Sequence, residues 1–361
     1  LLSLNISGNV TASSFYGDGS KLTNIQVQGV GQPIGTTGLL LDGVYLSRHS
    51  EITLIGNLAN THVNLGFFSV TGQAGESNEF DTIGGGLDNI ASKDFATVGG
   101  GHTNISSGYG ALIGGGIENT AAGPYATIAG GENNYSTEYA SSILGGSDNE
   151  AIGEFSSIGG GETNYATSYA ATIAGGSENE ASGELSTIGG GIFNLALSYG
   201  TTVSGGDKNT AEEPYASIGG GFINTASGFY ATVSGGYANN AGENSSSVGG
   251  GDHNEAIEVG STVSGGTDNE ASGLYSTVGG GMNNSASGYG TTISGGQDNE
   301  VGGMNSAIAG GRGLALTGDG SLGFRGGDSS TQISRSESNS VYLMEVALCI
   351  GAESTDCTMT M

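Results

Sequence analysis

The sequence predicts an all-β fold, a parallel β-solenoid (β-roll) of 15-residue coils, and two observations support this prediction. Between Ile83 and Gly311 one 15-residue unit occurs fifteen times and begins a sixteenth time, with no insertion or deletion. Its consensus is Ile/Val-Gly-Gly-Gly-x-x-Asn-x-Ala-Ser-Gly-x-Tyr-Ala-Thr, numbered here as positions 1 to 15. A fixed short period indicates units that stack on one another, and glycine-rich units of this length disfavour helices.

Each unit contains two segments with the composition of a short strand. In Ala126–Ile128 and Asn149–Ala151 the outer two residues would face the interior and the middle residue the solvent, because side chains alternate along a strand. The glycine triplet and the Ser-Gly pair are predicted to form the corners, where a positive φ costs glycine little. Each coil would then have two strands and two turns.

Position 7 is asparagine in all fifteen complete units. Stacked copies would place these side chains in one buried column, where the amides can hydrogen-bond from coil to coil. The predicted ladder consists of Asn89, Asn104, Asn119, Asn134, Asn149, Asn164, Asn179, Asn194, Asn209, Asn224, Asn239, Asn254, Asn269, Asn284 and Asn299.

A second period, twice as long as the unit, affects the large side chains. They occupy position 13 in one unit and position 12 in the next, and the position-12 members are Tyr109, Tyr139, Tyr169 and Tyr199. The coil could therefore consist of one 15-residue unit or of two, and we favour one because the core positions ignore the longer period. These four tyrosines are candidates for a ligand-binding stripe, or for side chains that fill an interface between protomers, where tyrosine is also enriched.

The array divides the chain into four predicted regions. Residues 1–30 are interpreted as fibre or collar strands, 31–82 as a small β cap, 83–311 as the solenoid, and 312–361 as a C-terminal β cap or connector, since solenoid ends need covers. The two cysteines, Cys349 and Cys357, either form a local disulfide or are free thiols. The sequence starts without Met or a charged leader and contains no run long enough for a membrane span, so we expect it to be part of a longer protein, with any anchor elsewhere.

Composition and charge narrow the classes of function. The chain has 73 glycines without a three-residue period, which excludes collagen. It has 35 acidic and 7 basic residues, a net charge of −28, which argues against nucleic acid and anionic membranes as partners. The charge favours neutral glycans or basic protein surfaces instead.

Acidic residues flank the column asparagine in four units, at Asp148–Glu150, Glu178–Glu180, Asp268–Glu270 and Asp298–Glu300. Rows of carboxylates could bind Ca²⁺, but these runs match no Ca²⁺-binding motif, so a solvated acidic face is the favoured interpretation. The four histidines, His49, His62, His102 and His253, show no metal-ligand or catalytic spacing. We therefore expect a protein that is not an enzyme and needs no cofactor.

Parts of the array resemble the head repeats of trimeric autotransporter adhesins, the YadA-like heads, most clearly in Ser276–Gly281 and Asn269–Gly273. The resemblance covers about two thirds of the chain and implies a left-handed parallel β-roll in a homotrimer, although the unit here is one residue longer than the usual one. Outside the array, Gly8–Ile25 resembles a segment of phage tail fibres. Val346–Gly351 resembles a short motif that often follows such shafts.

These features lead to three hypotheses about function. The first is a fibrous adhesin or receptor-binding fibre segment, extracellular, on a cell surface or in a virion tail fibre, whose partner is a host-cell surface glycan or protein. The second is a purely structural spacer shaft, and the third is a tailspike-like polysaccharide depolymerase. A core of alanine with one Ile or Val per coil also buries little apolar area per chain, which favours an obligate homotrimer.

Overall fold

The computed structural model describes residues 39–41, 44–46, 63–72, 80–327 and 331–345, and strands are their only regular structure. The first two strands, β1 (Leu39–Leu41) and β2 (Val44–Leu46), pair antiparallel as a hairpin. The other strands, β3 to β39, pair in parallel and form two rows that run the length of the described solenoid. The predicted all-β solenoid is thus confirmed.

The first row contains the odd-numbered strands. They are β3 Val63–Asn64, β5 Thr82–Ile83, β7 Thr97–Val98, β9 Leu112–Ile113, β11 Thr127–Ile128, β13 Ser142–Ile143, β15 Ser157–Ile158, β17 Thr172–Ile173, β19 Thr187–Ile188, β21 Thr202–Val203, β23 Ser217–Ile218, β25 Thr232–Val233, β27 Ser247–Val248, β29 Thr262–Val263, β31 Thr277–Val278, β33 Thr292–Ile293, β35 Ala307–Gly311, β37 Leu322–Arg325 and β39 Val341–Met344.

The second row contains the even-numbered strands. They are β4 Val70–Thr71, β6 Ile90–Ala91, β8 Ile105–Ser106, β10 Thr120–Ala121, β12 Tyr135–Ser136, β14 Glu150–Ala151, β16 Tyr165–Ala166, β18 Glu180–Ala181, β20 Leu195–Ala196, β22 Thr210–Ala211, β24 Thr225–Ala226, β26 Asn240–Ala241, β28 Glu255–Ala256, β30 Glu270–Ala271, β32 Ser285–Ala286, β34 Glu300–Val301, β36 Leu314–Leu316 and β38 Ile333–Arg335.

The strand register shows that one coil corresponds to one 15-residue unit. Thr172 pairs with Thr187 in the first row, and Glu180 pairs with Leu195 in the second. A third contact, not predicted from the sequence, is a single-residue bridge at position 5, such as Ser177 with Ile192. Each coil therefore has three sides that hydrogen-bond to the next coil, and the 30-residue period is not the length of a coil.

Positions 1, 7, 9 and 14 form the core of the array. In one coil these are Ile173, Asn179, Ala181 and Ser186, and all four are fully buried. The intervening Thr172 and Glu180 remain partly exposed, in agreement with the predicted alternation. The interior of the coil is closed by one chain, since the Ile/Val side chain of each coil is fully buried without a neighbouring protomer.

The corners differ in part from the prediction. The last glycine of each triplet has a positive φ, such as 98° at Gly176, as expected. The glycine of the Ser-Gly pair has no positive φ, and it is needed for space: a Cβ on Gly183 would lie 1.9 Å from the carbonyl oxygen of Ser198. The left-handed residues at the other corners are positions 6 and 13, for example Glu178 at 54° and Leu185 at 58°. At Gly183 the main chain of the next coil therefore excludes a side chain that the backbone conformation of Gly183 would permit.

The stacking continues beyond both ends of the 15-residue array. Val63 pairs with Thr82, so residues 63–72 add a coil before it. At the other end Leu314 pairs with Ile333, and Leu322 pairs with Val341, so the last coils are longer than the repeating unit. The segments predicted as caps thus contain coils of the same solenoid.

A buried arginine lies in these last coils. The Arg325 side chain is 1% exposed, and its Nη1 donates to the carbonyl oxygens of Arg312, Gly313 and Thr331 at 3.1, 3.1 and 2.6 Å. The carboxylate of Glu345 lies 3.4 Å from its Nε and compensates the buried charge. Main-chain carbonyls at the end of the array are thereby satisfied by a side chain.

Several predictions concern residues outside the described ranges. These are the fibre segment Gly8–Ile25, the motif Val346–Gly351, the state of Cys349 and Cys357, and the positions of His49 and His62. The predicted homotrimer stays a prediction, because the structure describes one chain. Among the described residues, no helix has the length and apolarity to cross a membrane.

Candidate functional site: an aromatic stripe along the solenoid

The fifteen predicted asparagines lie in one buried column. Asn179 Nδ2 donates to Asn164 Oδ1 at 3.0 Å and to the carbonyl oxygens of Gly175 and Gly191 at 3.2 and 2.9 Å. Its Oδ1 accepts from the main-chain N–H and the Nδ2 of Asn194, both at 3.1 Å. The main-chain bond recurs at every step from Asn104 to Asn299.

The column has distinct ends. The hydroxyl of Ser69 accepts from the N–H of Asn89 in the first coil, and the N–H of Leu314 donates to Asn299 Oδ1 in the last. Because its members are buried by the coil itself, the column holds the solenoid together and is not accessible to a ligand. The accessible candidate site is therefore the aromatic stripe.

The four predicted tyrosines lie along one corner of the solenoid, together with rings from position 13. Each ring is about half exposed, and Tyr139 is 41% and Tyr169 46% exposed. The aromatic stripe comprises Phe80, Phe95, Tyr109, Tyr125, Tyr139, Phe155 and Tyr169, then Tyr199, Tyr215, Phe229 and Tyr230, then Tyr275 and Tyr289. Of these rings, the sequence predicts Tyr109, Tyr139, Tyr169 and Tyr199 as candidates.

Ring geometry depends on where each ring is attached. Two neighbours that both come from position 13, Phe80 and Phe95, are stacked at 14° with centroids 5.3 Å apart. Where positions 12 and 13 alternate, from Phe95 to Tyr169, neighbouring rings are edge-to-face at 71° to 80° with centroids 5.3 to 5.7 Å apart. The 30-residue period therefore describes how the rings pack, and it gives the edge-to-face geometry that aromatic pairs favour.

Alternation also requires a small residue beneath each position-13 ring. A Cβ on Gly110 would lie 3.0 Å from Cδ1 of Tyr125, and one on Gly200 would lie 3.1 Å from Cδ1 of Tyr215. Position 13 is left-handed in every complete unit, where glycine is unstrained. Gly110 and Gly200 therefore satisfy the backbone and leave space for the neighbouring ring.

The stripe is not continuous. Leu185, 44% exposed, takes the place of a ring between Tyr169 and Tyr199. Between Tyr230 and Tyr275 the sequence offers no aromatic residue at positions 12 and 13. In the second segment, desolvation and then the neighbouring Tyr199 and Tyr230 raise the pKa of the Tyr215 phenol.

The acidic runs lie on other sides of the coil. Asp148 and Glu150 flank the buried Asn149 and are partly exposed. Hydrogen bonds from Ser147 and then Asn133 lower the pKa of the Asp148 carboxyl, with Asn133 Nδ2 2.6 Å from Asp148 Oδ1. Within the described part of the chain no group of three or more His, Cys, Asp or Glu side chains could hold a metal ion.

Asp81 is a buried acid that sequence reasoning missed. It occupies position 14, where the complete units have Ala, Ser or Thr, and its side chain is fully buried. Burial raises its pKa to about 7, opposed by main-chain hydrogen bonds from Ala96 and Gly72 and assisted by the nearby Asp94. The signal available in the sequence was an acid at a core position just ahead of the first complete unit.

A smaller apolar cluster occupies positions 5 and 6 in the middle of the array. Lys208 lies over the rings of Phe193 and Phe222, at 5.7 and 5.4 Å, and Phe222 stacks on Tyr237. His253, also at position 6, lies 2.7 Å from Asp252 and is exposed, as is His102. Each histidine has an aspartate neighbour, Asp88 for His102 and Asp252 for His253, whose side chain is about half exposed.

The sequence matches no protein-family model and no curated protein.

Proposed function

We propose that this chain is a segment of an extracellular fibre, on a cell surface or in a virion tail fibre, that attaches to an extended neutral glycan along the aromatic stripe. The rod acts as an adhesin or receptor-binding element and catalyses no reaction. The observation that carries the proposal is a line of half-exposed rings that runs from coil to coil along one corner.

The spacing of the rings supports an extended ligand. Rings attached at the same position are nearly parallel in neighbouring coils, as at Tyr215 and Tyr230, which are 14° apart. Rings two coils apart in the alternating segment should therefore share one orientation and recur about every 10 Å, given about 4.8 Å per coil. A polymer of pyranose units offers a repeating C–H face to such an array, whereas a small ligand would use one ring or two.

The chemistry of the stripe supports a neutral ligand. The stripe consists of Phe and Tyr side chains and lies on a chain with a net charge of −28, which repels anionic polymers. Individual ring contacts in water are weak, yet a chain that spans many coils binds multivalently at high effective concentration. Host-cell surface glycans fit these requirements, and a basic protein surface is the alternative partner.

A matched pair of variants tests the stripe. Tyr139→Ala combined with Tyr169→Ala removes two rings, and Tyr135→Ala combined with Tyr165→Ala removes two tyrosines from position 8 of the same coils. On arrays of neutral, sialylated and sulfated glycans and on purified capsular and exopolysaccharides, the wild type and the position-8 variant should bind neutral chains. The stripe variant should bind them at least tenfold more weakly.

Three results would contradict the proposal. An equal loss of glycan binding in both double variants would show that the stripe is not the binding site. No retention on any glycan would favour the spacer shaft, a fibre whose binding element lies elsewhere. Release of reducing ends or unsaturated products from a polysaccharide, abolished by mutation of a pair of acids, would establish the depolymerase.

A further inference from the structure

One side of the solenoid carries no charge along the whole array. The fifteen complete units contain twenty-three acids and two lysines, and all of them occupy positions 5, 6, 8, 10, 11 and 12. Positions 13 to 15 and 1 to 4 contain none. Position 15 is partly exposed and position 2 exposed, with the buried Ile or Val of position 1 between them. We call the surface formed by positions 15 and 2 the uncharged face.

The uncharged face is built from small side chains. From Thr82 to Ala307, position 15 is Thr or Ser in fourteen of sixteen coils, and position 2 is Gly, Ala or Ser in fifteen of sixteen. The exceptions are Ala307 and two exposed leucines, Leu112 at 41% and Leu144 at 64%. The uncharged face is therefore nearly flat as well as uncharged, unlike the sides of the solenoid that carry acidic residues.

Close packing against the main chain of the next coil explains why this face contains glycines, but it does not explain why the face contains no charged residue. A Cβ on Gly189 would lie 2.3 Å from the carbonyl oxygen of Ser204, so a side chain is excluded there. Ser204 and Thr187 do carry side chains, and both positions are solvent-accessible. Position 8 is the equivalent outward strand position on another side, and it accommodates glutamate in five units. Charge is thus absent where the fold would tolerate it.

The size of the face matches a stable protein–protein contact. With about 3.3 Å per strand residue and 4.8 Å per coil, the three residues at positions 15, 1 and 2 in fifteen coils cover roughly 10 by 70 Å. Two such faces in contact would bury on the order of 1,400 Å², within the range of specific interfaces. Two chains of charge −28 repel each other through their other sides, so this face is where they can approach closely.

We propose that two copies of this chain pack together through the uncharged face, each against the same face of the other. A face that meets itself gives a two-fold contact, whereas a closed trimer needs two different contact surfaces on every chain. The array offers one surface without charge, so the structure favours a dimer over the homotrimer expected from the sequence. The aromatic stripe borders the contact, and the pairing does not depend on what the stripe binds.

The test compares the same substitution on two sides of the 361-residue chain. Thr187→Glu with Thr232→Glu places two charges on the uncharged face, and Thr120→Glu with Thr210→Glu places two at position 8. Sedimentation velocity with a reductant present should give twice the chain mass of 35.5 kDa for the wild type and the position-8 variant. The face variant should sediment as a folded monomer, with an unchanged circular dichroism spectrum.

Salt provides a second readout that requires no variant. Because the contact is uncharged and the remaining surfaces repel, raising the NaCl concentration from 20 to 500 mM should lower the dissociation constant of the dimer severalfold. A wild-type chain that remains a monomer at tens of micromolar in high salt would overturn the proposal. So would a trimer, or a face variant that still associates like the wild type. Each of these results leaves the glycan proposal untouched.

Discussion

The asparagine column and the aromatic stripe run in parallel along the same coils, yet they obey different periods. Every complete unit has asparagine at position 7, whereas the ring moves between positions 12 and 13 and is absent from several coils, such as the one that carries Leu185. The column is enclosed by main chain, and the side chain of Asn179 alone makes five hydrogen bonds. The stripe has neighbours above and below but solvent outside.

The difference shows which interactions require the same residue type in every unit. Inside the coil, a residue must satisfy the same donors and acceptors at every step, so one residue type recurs without exception. On the outside, a ring need only meet the ring of the next coil, and alternating attachment achieves this with an edge-to-face pair. Identity of sequence therefore indicates the column that holds the fold, and variation indicates the surface that is free to diversify.

The largest effect should come from breaking the column. Asn179→Leu removes the acceptor of the Asn194 N–H and leaves neighbouring amides unpaired, at about 1–3 kcal/mol for each buried group, and it overfills a narrow coil. Because several groups lose their partners at once, we expect a loss of roughly 4 kcal/mol or more in chemical unfolding. Glu180→Gln, next in sequence and partly exposed, should change stability by less than about 0.5 kcal/mol.

A nearly equal effect is expected in the same coil, at the glycine corner three residues before Asn179. Gly176 has φ of 98°, and a Cβ there would lie 2.1 Å from the carbonyl oxygen of Gly191. Gly176→Ala should therefore lower the free energy of unfolding by about 3 kcal/mol, since strain and a clash with main chain add. Gly175→Ala, whose added Cβ would have 3.8 Å to its nearest neighbour, is the control and should be nearly neutral.

A pH-dependent effect should appear at Asp81. A raised pKa means that the folded state binds the proton more tightly than the unfolded state, so this side chain destabilises the fold as pH rises from about 4 to 7. Asp81→Ser installs a residue that other coils use at position 14. It should raise the melting temperature at pH 8 and lose most of this advantage at pH 4.5. A constant difference between the two proteins across that range would show that Asp81 does not titrate as described.

The smallest effect belongs to the stripe. Tyr139→Ala removes edge-to-face contacts with Tyr125 and Phe155, each worth about 0.5–1.5 kcal/mol beyond area burial, but the ring is 41% exposed. We expect a loss of about 1–2 kcal/mol in the same unfolding assay. Tyr135→Ala, in the same coil but in no ring pair among the described residues, should cost less. A larger loss at Tyr139 than at Asn179 would reverse the assignment of column and stripe.

The solenoid was predictable from sequence because the period, the Ile/Val of position 1 and the asparagine of position 7 report the interior directly. The third side of the coil was not, because position 5 accepts residues as different as Ile192 and Asp207, and a one-residue bridge imposes no side-chain pattern. The added coil at residues 63–72 was hidden because Val63 and its partner Thr82 are separated by more than one repeating unit. The fixed 15-residue period is lost as soon as one corner of a coil is longer.

Only part of the aromatic stripe was predictable from the sequence. Tyr139 and Tyr169 stood out at position 12, but the rings of Tyr125 and Phe155 belong to the same stripe through position 13. That convergence depends on a left-handed backbone at position 13, for which the glycines at Gly110 and Gly200 were the available signal. The requirement for glycine at Gly183 could not be inferred from φ preferences, because it arises from the neighbouring coil.

Amide hydrogen exchange, resolved residue by residue, tests most directly the claim that one buried column runs through every coil of the 15-residue array. The main-chain N–H of each asparagine from Asn104 to Asn299 donates to a buried side-chain oxygen one coil away. These amides should exchange slowly at a 15-residue spacing, with uniform protection across the middle of the array. Fast exchange at the column asparagines, or protection that recurs only in every second coil, would contradict the account.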